Sequence, residues 1–111
     1  LMWLDAAKQT SRAVLNGVLA RTASVDETYG FVTLRLPQLM QHDRYTVKAV
    51  LARCYWLLTG HAASLVRFEA AVDFLTAGFT ECKSQPLLKG IALMRFSSTE
   101  AVIYRDVWNM K

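Results

Sequence analysis

Glu69 and Asp73 are the two carboxylates whose spacing comes closest to a catalytic pair. They lie four residues apart in a predicted helix, so both side chains project from one face, one turn apart. Such a pair could share a proton for acid–base chemistry or hold a metal ion. No histidine is near them in sequence, however, and the helix-surface positions around them favour a solvated face.

Arg44 and Lys48 have the same four-residue spacing in the preceding predicted helix. They lie opposite the apolar stripe of that helix, and Tyr55 follows two turns beyond Lys48. A basic and aromatic strip is one interpretation of this pattern, and an ordinary solvated helix face is the other. The sequence leaves both open.

The cysteines and histidines do not predict a metal site. Cys54 falls on the apolar face of a predicted helix, where a free cysteine behaves as a small hydrophobic residue, and no C-x-x-C motif includes Cys82. His42 and His61 flank that helix in polar contexts and are expected to be solvated. Phosphate-binding glycine loops, H-E-x-x-H and G-x-S-x-G are also missing from the sequence. We therefore predict no catalytic residue, cofactor site or metal site in this chain.

Composition favours one globular domain over residues 1–111. The chain is 53% hydrophobic and 20% charged. Its formal net charge of +4 mildly favours polyanionic partners. It has no apolar run long enough to span a bilayer, and we expect no signal peptide before the first helix. We expect a soluble protein of a reducing intracellular compartment, the cytoplasm or an organellar matrix. Because the chain begins at Leu1, we expect a domain excised from a longer protein.

Three helices are predicted from apolar residues spaced three and four positions apart. The first spans Leu4 to Ala23. The second runs from an N-cap at Asp43 to a C′ residue at Gly60, after a short turn that begins at Pro37. The third follows an N-cap at Ser64 and continues to Phe79.

The strands predict a small antiparallel sheet. Phe31 to Leu36 alternates apolar and polar residues, and Leu87 to Phe96 with Ala101 to Val107 reads as a hairpin. Residues 24–30 and 80–86 are predicted to be polar connections. The fold class is α+β, mainly helical, with the early strand joining the hairpin. The predicted core contains Val50, Leu51, Cys54, Phe68, Val72, Leu75, Leu88 and Ile103.

The whole pattern resembles the helical substrate-binding region that follows the catalytic domain of bacterial tRNA(Ile)-lysidine synthase. The likeness covers about Asp5 to Asp106 and rests on four segments: GFVTLRLPQL, VKAVLARCYWLLTG, SLVRFEAAVDFL and PLLKGIALMRFSSTEAVIYRD. The residues that match family motifs are Arg67, Leu88, Gly90 and Arg105 followed by Asp106. The departures are Phe68 for Leu, Ile91 for a frequent Cys and Asp106 for Glu.

The resemblance implies a tRNA-positioning domain without activity of its own. The parent enzymes use ATP to activate a wobble cytidine, which lysine then attacks, and their Ser-Gly-Gly-x-Asp-Ser nucleotide loop is absent from this sequence. ATP would then belong to a separate catalytic domain of the same protein, and tRNA would be the partner. The candidate RNA-binding residues are Lys8, Arg12, Arg44, Lys48, Lys89, Arg95 and Arg105.

A protein-interaction or structural module of a larger assembly is the alternative function. It is favoured by the apolar content and by Trp3, Trp56 and Trp108, which would mark a partner surface if they were exposed. For Trp56 we expect core packing instead. An independent enzyme is a weaker third possibility, because no nucleophile, base and orienting group can be named together.

Overall fold

The computed structural model describes residues 14–88 and 90–105, and these have an α+β fold. The helical residues 14–22 are called α1 here. The other elements are β1 (Ala23–Asp26), β2 (Phe31–Arg35), α2 (Leu36–Leu39), α3 (Arg44–Thr59), a 3-10 turn (Leu65–Phe68), α4 (Glu69–Thr76), β3 (Lys83–Leu88), β4 (Ile91–Arg95) and β5 (Glu100–Arg105).

The strands of the described residues form one antiparallel sheet in the order β1-β2-β5-β4-β3. The predicted pairing of the early strand with the C-terminal hairpin is confirmed, since Val32 pairs with Ile103 and Leu34 with Ala101. The turn between β4 and β5 is closed by the Ser97 hydroxyl, which accepts hydrogen bonds from the backbone of Thr99 and Glu100. Strand β5 is central and β3 lies at an edge.

Two strands replace segments that were predicted to be polar connections. Residues 23–26 form β1, and the chain then turns tightly as the backbone N–H of Gly30 donates to the Asp26 carbonyl. Lys83–Leu88 forms β3, in which residues 83–86 were expected to be a loop and Leu87 and Leu88 were expected to begin the hairpin. Gly90 has a φ of 79°, a left-handed conformation that suits glycine, so the predicted first arm of the hairpin is divided between β3 and β4.

The second predicted helix is confirmed in position. Asp43 stands at the N-cap, although its carboxylate accepts a hydrogen bond from the Thr46 hydroxyl and makes no cap bond to the backbone. That hydroxyl is the main reason that the pKa of Asp43 lies below its ordinary value. Gly60 ends the helix with a φ of 76°. The predicted short turn at Pro37 is α2.

The first and third predicted helices have different bounds in the structure. Residues 14–22 of the first are helical, Ala23 already belongs to β1, and residues before 14 lie outside the described part. The third begins as a 3-10 turn, in which the backbone N–H of Arg67 donates to the Ser64 carbonyl, and it ends at Thr76. It stops there because Ala77 has an extended backbone, with a ψ of 150°.

The predicted core is confirmed, and it lies between the helices and one face of the sheet. Seven of the eight predicted residues are buried, and Leu88 is partly buried against them. The prediction for Trp56 was wrong, since its side chain is 42% exposed. In residues 14–88 and 90–105, no helix is both long and apolar enough to cross a membrane.

Candidate nucleic-acid interface

The structure brings the two predicted charge pairs together as one cluster, which we call the α3–α4 charge cluster: Arg44, Lys48, Glu69 and Asp73. Nη2 of Arg44 lies 2.6 Å from Oε2 of Glu69 and 2.8 Å from Oδ1 of Asp73. Nζ of Lys48 lies 2.6 Å from Oε1 of Glu69. The two carboxylates lie on an exposed face, as the sequence predicts, and on that face they form ion pairs with the neighbouring helix.

The charges of this cluster balance one another. Hydrogen bonds to Asp73 and then Glu69 raise the pKa of Arg44, and hydrogen bonds from Lys48 and then Arg44 lower the pKa of Glu69. Arg44 and Glu69 remain about half exposed, so water and salt weaken their attraction. A phosphate group at Arg44 or Lys48 would have to compete with carboxylates that are already in place.

Replacing Glu69 with glutamine is expected to lower the free energy of unfolding slightly at neutral pH. The difference between the two proteins should become smaller as the solution is acidified. The pKa of Glu69 is lower in the folded state than its ordinary value of 4.5. Its stabilising contribution is therefore complete above that value and is lost as the pH falls through the folded pKa. Urea denaturation at several pH values, from 7 down to about 3, would measure the difference between the two proteins.

Glu81→Gln is the control for this series, because Glu81 lies 3.8 Å from Lys83 on an exposed surface. A difference between wild type and Glu69→Gln that stayed constant across the pH range would contradict the assigned role of the Glu69 charge.

Arg95 is a buried residue that ties the end of α4 to the sheet. Its side chain is 7% exposed, and Nη1 donates to the carbonyls of Phe74 and Ala77. The guanidinium carbon also lies 5.6 Å from the centroid of the Phe79 ring. The structure therefore places this RNA-binding candidate inside the molecule.

Arg105 reaches the C-terminal end of α3. Its Nη2 donates to the Leu58 carbonyl, one of the last carbonyls of the helix, where a positive charge is also favourable. The remaining candidates Lys8, Arg12 and Lys89 lie outside the described residues, as do Trp3 and Trp108.

A pair that the sequence analysis missed lies on the outer face of α3. The guanidinium carbon of Arg53 is 4.4 Å from the centroid of the Trp56 ring, and Tyr45, eleven residues before Trp56, is 65% exposed. Eleven residues are about three helical turns, so both rings face the same way. We call Tyr45, Arg53 and Trp56 the outer face of α3.

Tyr55, the aromatic residue of the predicted strip, turns inward. Its ring meets Phe68 edge to face, with the centroids 6.4 Å apart, and the side chain packs against the core. The basic and aromatic surface of α3 is thus displaced by one residue, from Tyr55 to Trp56. The sequence signal that could have found it is the three-residue spacing of Arg53 and Trp56, which places them on adjacent turns of one helix.

Cys54 is buried, as the sequence predicts. Burial raises the pKa of Cys54 to about 12, so its thiol stays protonated and unreactive at neutral pH. Cys82 is exposed, and its thiol contacts the Phe96 carbonyl. No group of three or more possible metal ligands occurs within the described part of the chain.

No protein-family model, no curated protein and no solved structure matches this chain. A function therefore has to be proposed from its sequence pattern and its surface.

Proposed function

We propose that this chain is a non-catalytic domain that positions tRNA, as its resemblance to the substrate-binding region of tRNA(Ile)-lysidine synthase suggests. The observation that supports this proposal best is the stacked pair of Arg53 and Trp56 on the outer face of α3. A catalytic domain of the same protein would bind ATP and carry out the chemistry, in the cytoplasm or an organellar matrix.

The Arg53–Trp56 pair offers two kinds of contact that RNA uses. Unpaired bases stack on aromatic rings and on guanidinium planes, and the guanidinium also attracts the phosphate backbone. Trp56 is 42% exposed, so part of its ring surface remains open to a base. Arg53 limits the orientations of that ring, which reduces the entropy lost when a base stacks on it.

Positive charge is also available outside the α3–α4 charge cluster. Arg67 is exposed on the 3-10 turn that follows α3, and Arg105, which donates to the Leu58 carbonyl, is exposed at the end of β5. The α3–α4 charge cluster contains two cations and two carboxylates, so it does not account for the formal net charge of +4. The surplus lies among arginines and lysines outside that cluster, which supports a polyanionic partner.

We expect Trp56→Ala to weaken binding to unmodified tRNA about 5- to 150-fold, since one base–aromatic stack contributes about 1–3 kcal/mol. Arg53→Gln should weaken binding and reduce the slope of log K against log salt by about one, because one phosphate contact is lost. Filter binding between about 50 and 200 mM salt measures both effects.

Two control variants separate this face from other surfaces. Tyr29→Ala removes an aromatic side chain that is 81% exposed in the β1–β2 turn, and it should bind like wild type. Arg44→Ala combined with Lys48→Ala tests two of the RNA-binding candidates named from the sequence. We expect a smaller loss from this double variant than from Trp56→Ala, since Glu69 already pairs with both cations. Wild-type affinity in both Trp56→Ala and Arg53→Gln would remove the outer face of α3 from the binding site.

The alternative function, a protein-interaction module, is favoured by one observation. Trp56 and Leu57 are adjacent, exposed apolar side chains, at 42% and 39% exposure. A folded protein that binds no tRNA at about 50 mM salt would favour this alternative, because electrostatic RNA binding is strongest at low salt.

A further inference from the structure

A cleft of about 450 Å³ lies between the start of α3 and the end of α4, away from the outer face of α3. Its size falls within the range of small-molecule sites. The apolar wall includes Leu36, Met40 and Phe79, and the basic groups that line the cleft are His42, Arg44 and Arg95.

Arg95 is a buried cation whose charge has no carboxylate partner among the described residues. Nη1 is used by the Phe74 and Ala77 carbonyls, and Nε is covered and has no acceptor. A buried charge without a counterion costs free energy, and an anion placed against it recovers part of that cost. The guanidinium thus favours a negatively charged occupant of the cleft that it lines.

The rest of the lining adds no negative charge of its own. None of the described residues around the cleft is Asp or Glu. Arg44 at its edge is already paired with Glu69 and Asp73, so Arg95 is the arginine of the cleft that has no carboxylate partner among the described residues. The Phe79 ring and the aliphatic wall provide an apolar surface beside this positive charge.

We propose that this cleft binds a small organic anion, a carboxylate or phosphate ester attached to a flat apolar group. The anionic end pairs with Arg95, and the flat group packs against Phe79 and the aliphatic wall. Two sources offer this chemistry, a free aromatic carboxylate and a nucleoside monophosphate, and each is tested in its own arm of the experiment. The proposal does not depend on tRNA binding by the outer face of α3.

The test is a titration followed by ¹H–¹⁵N NMR, with naphthalene-1-acetate in one arm and AMP in the other. The neutral analogues naphthalene-1-acetamide and adenosine are the matched controls. We expect at least one anion to shift the backbone signals of residues 76–79 and the Nε–H signal of Arg95. Its neutral analogue should bind about 10- to 150-fold more weakly, because a hydrogen bond to a charged group contributes about 1.5–3 kcal/mol and the analogue loses it. The arm that responds identifies the source.

Two variants localise the binding. Arg95→Met keeps the aliphatic part of the side chain and removes the charge, and it should reduce affinity to that of the neutral analogue. Ser98→Trp places a large side chain on the exposed rim of the cleft while keeping Arg95, so it gives an answer even if Arg95→Met does not fold. Ser84→Trp, on the exposed edge strand, is its control.

Binding that is lost in Ser98→Trp and kept in Ser84→Trp supports the proposal. It is overturned if neither anion shifts the cleft signals, if a neutral analogue binds as tightly as its anion, or if Ser98→Trp binds like wild type.

Discussion

Replacing Phe68 with alanine is expected to lower the free energy of unfolding by about 3–5 kcal/mol, a large part of the stability of a domain of this size. Phe68 is fully buried, and it is the largest side chain of the described residues with that degree of burial. It ends the 3-10 turn before α4 and meets the Tyr55 ring of α3 edge to face. Truncation would remove this contact and leave a cavity where the turn packs against α3.

Val66→Ala is the matched control, because Val66 lies in the same 3-10 turn and is 69% exposed. Its free energy of unfolding should stay within about 0.5 kcal/mol of wild type. Urea denaturation of both variants measures the two values, with the slope against urea concentration unchanged. Equal losses in the two variants would contradict the position of Phe68 at the centre of the core.

The buried positions could be predicted from sequence because their periodicity is a property of each segment alone. Val32 and Leu34 alternate with half-exposed neighbours in β2, and Val47, Leu51 and Cys54 recur along one side of α3. An amphipathic segment has only one way to bury such a pattern. The pattern therefore indicates both the element and the face that it turns to the core.

Strands β1 and β3 could not be predicted in the same way because they are edge strands. β1 has one buried residue, Ala23, and β3 has one, Leu87. An edge strand is stabilised by hydrogen bonds to one neighbour, and its own side chains carry little alternation. Pro86 lies within β3, and proline is compatible with an edge strand because one side of that strand has no partner.

The end of the third helix depends on residues that are distant in sequence. The apolar spacing continues to Phe79, whereas α4 ends at Thr76. Arg95 binds the carbonyls of Phe74 and Ala77 across 21 and 18 residues. A contact of this range is set by tertiary packing, and nothing near Phe79 in sequence indicates it.

In the candidate site, too, contacts within one helix could be predicted from the sequence, and contacts between helices could not. The four-residue spacing correctly placed Arg44 with Lys48 on one helix face and Glu69 with Asp73 on another. The two faces meet through a contact between Arg44 and Glu69, which are 25 residues apart in sequence. Neither spacing pattern carries information about that contact. The prediction that Trp56 is buried was wrong because Trp56 neighbours the apolar stripe of α3. In the structure Tyr55 packs against Phe68, and Trp56 is left on the outside of the helix.

The second large effect is expected for Val102→Pro in β5. This strand lies between β2 and β4, and Val102 pairs with Thr33 on one side and with Met94 on the other. Proline has no N–H to donate, so one ladder hydrogen bond is lost and its acceptor is left without a partner. We expect a loss of about 2–4 kcal/mol, from the bond itself and from the unsatisfied carbonyl. Urea denaturation followed by circular dichroism measures it.

Ser84→Pro tests whether this loss reflects the central position of β5. Ser84 lies in β3, two residues before Pro86, in a part of the ladder where the register is regular. Residues two apart in a strand direct their N–H groups to the same side, so Ser84 occupies a position equivalent to one where proline is already present. Because β3 has a neighbour on one side only, we expect Ser84→Pro to cost less than about 1 kcal/mol. If Ser84→Pro were as destabilising as Val102→Pro, β3 could not be the edge of the sheet, and the strand order β1-β2-β5-β4-β3 would have to be revised.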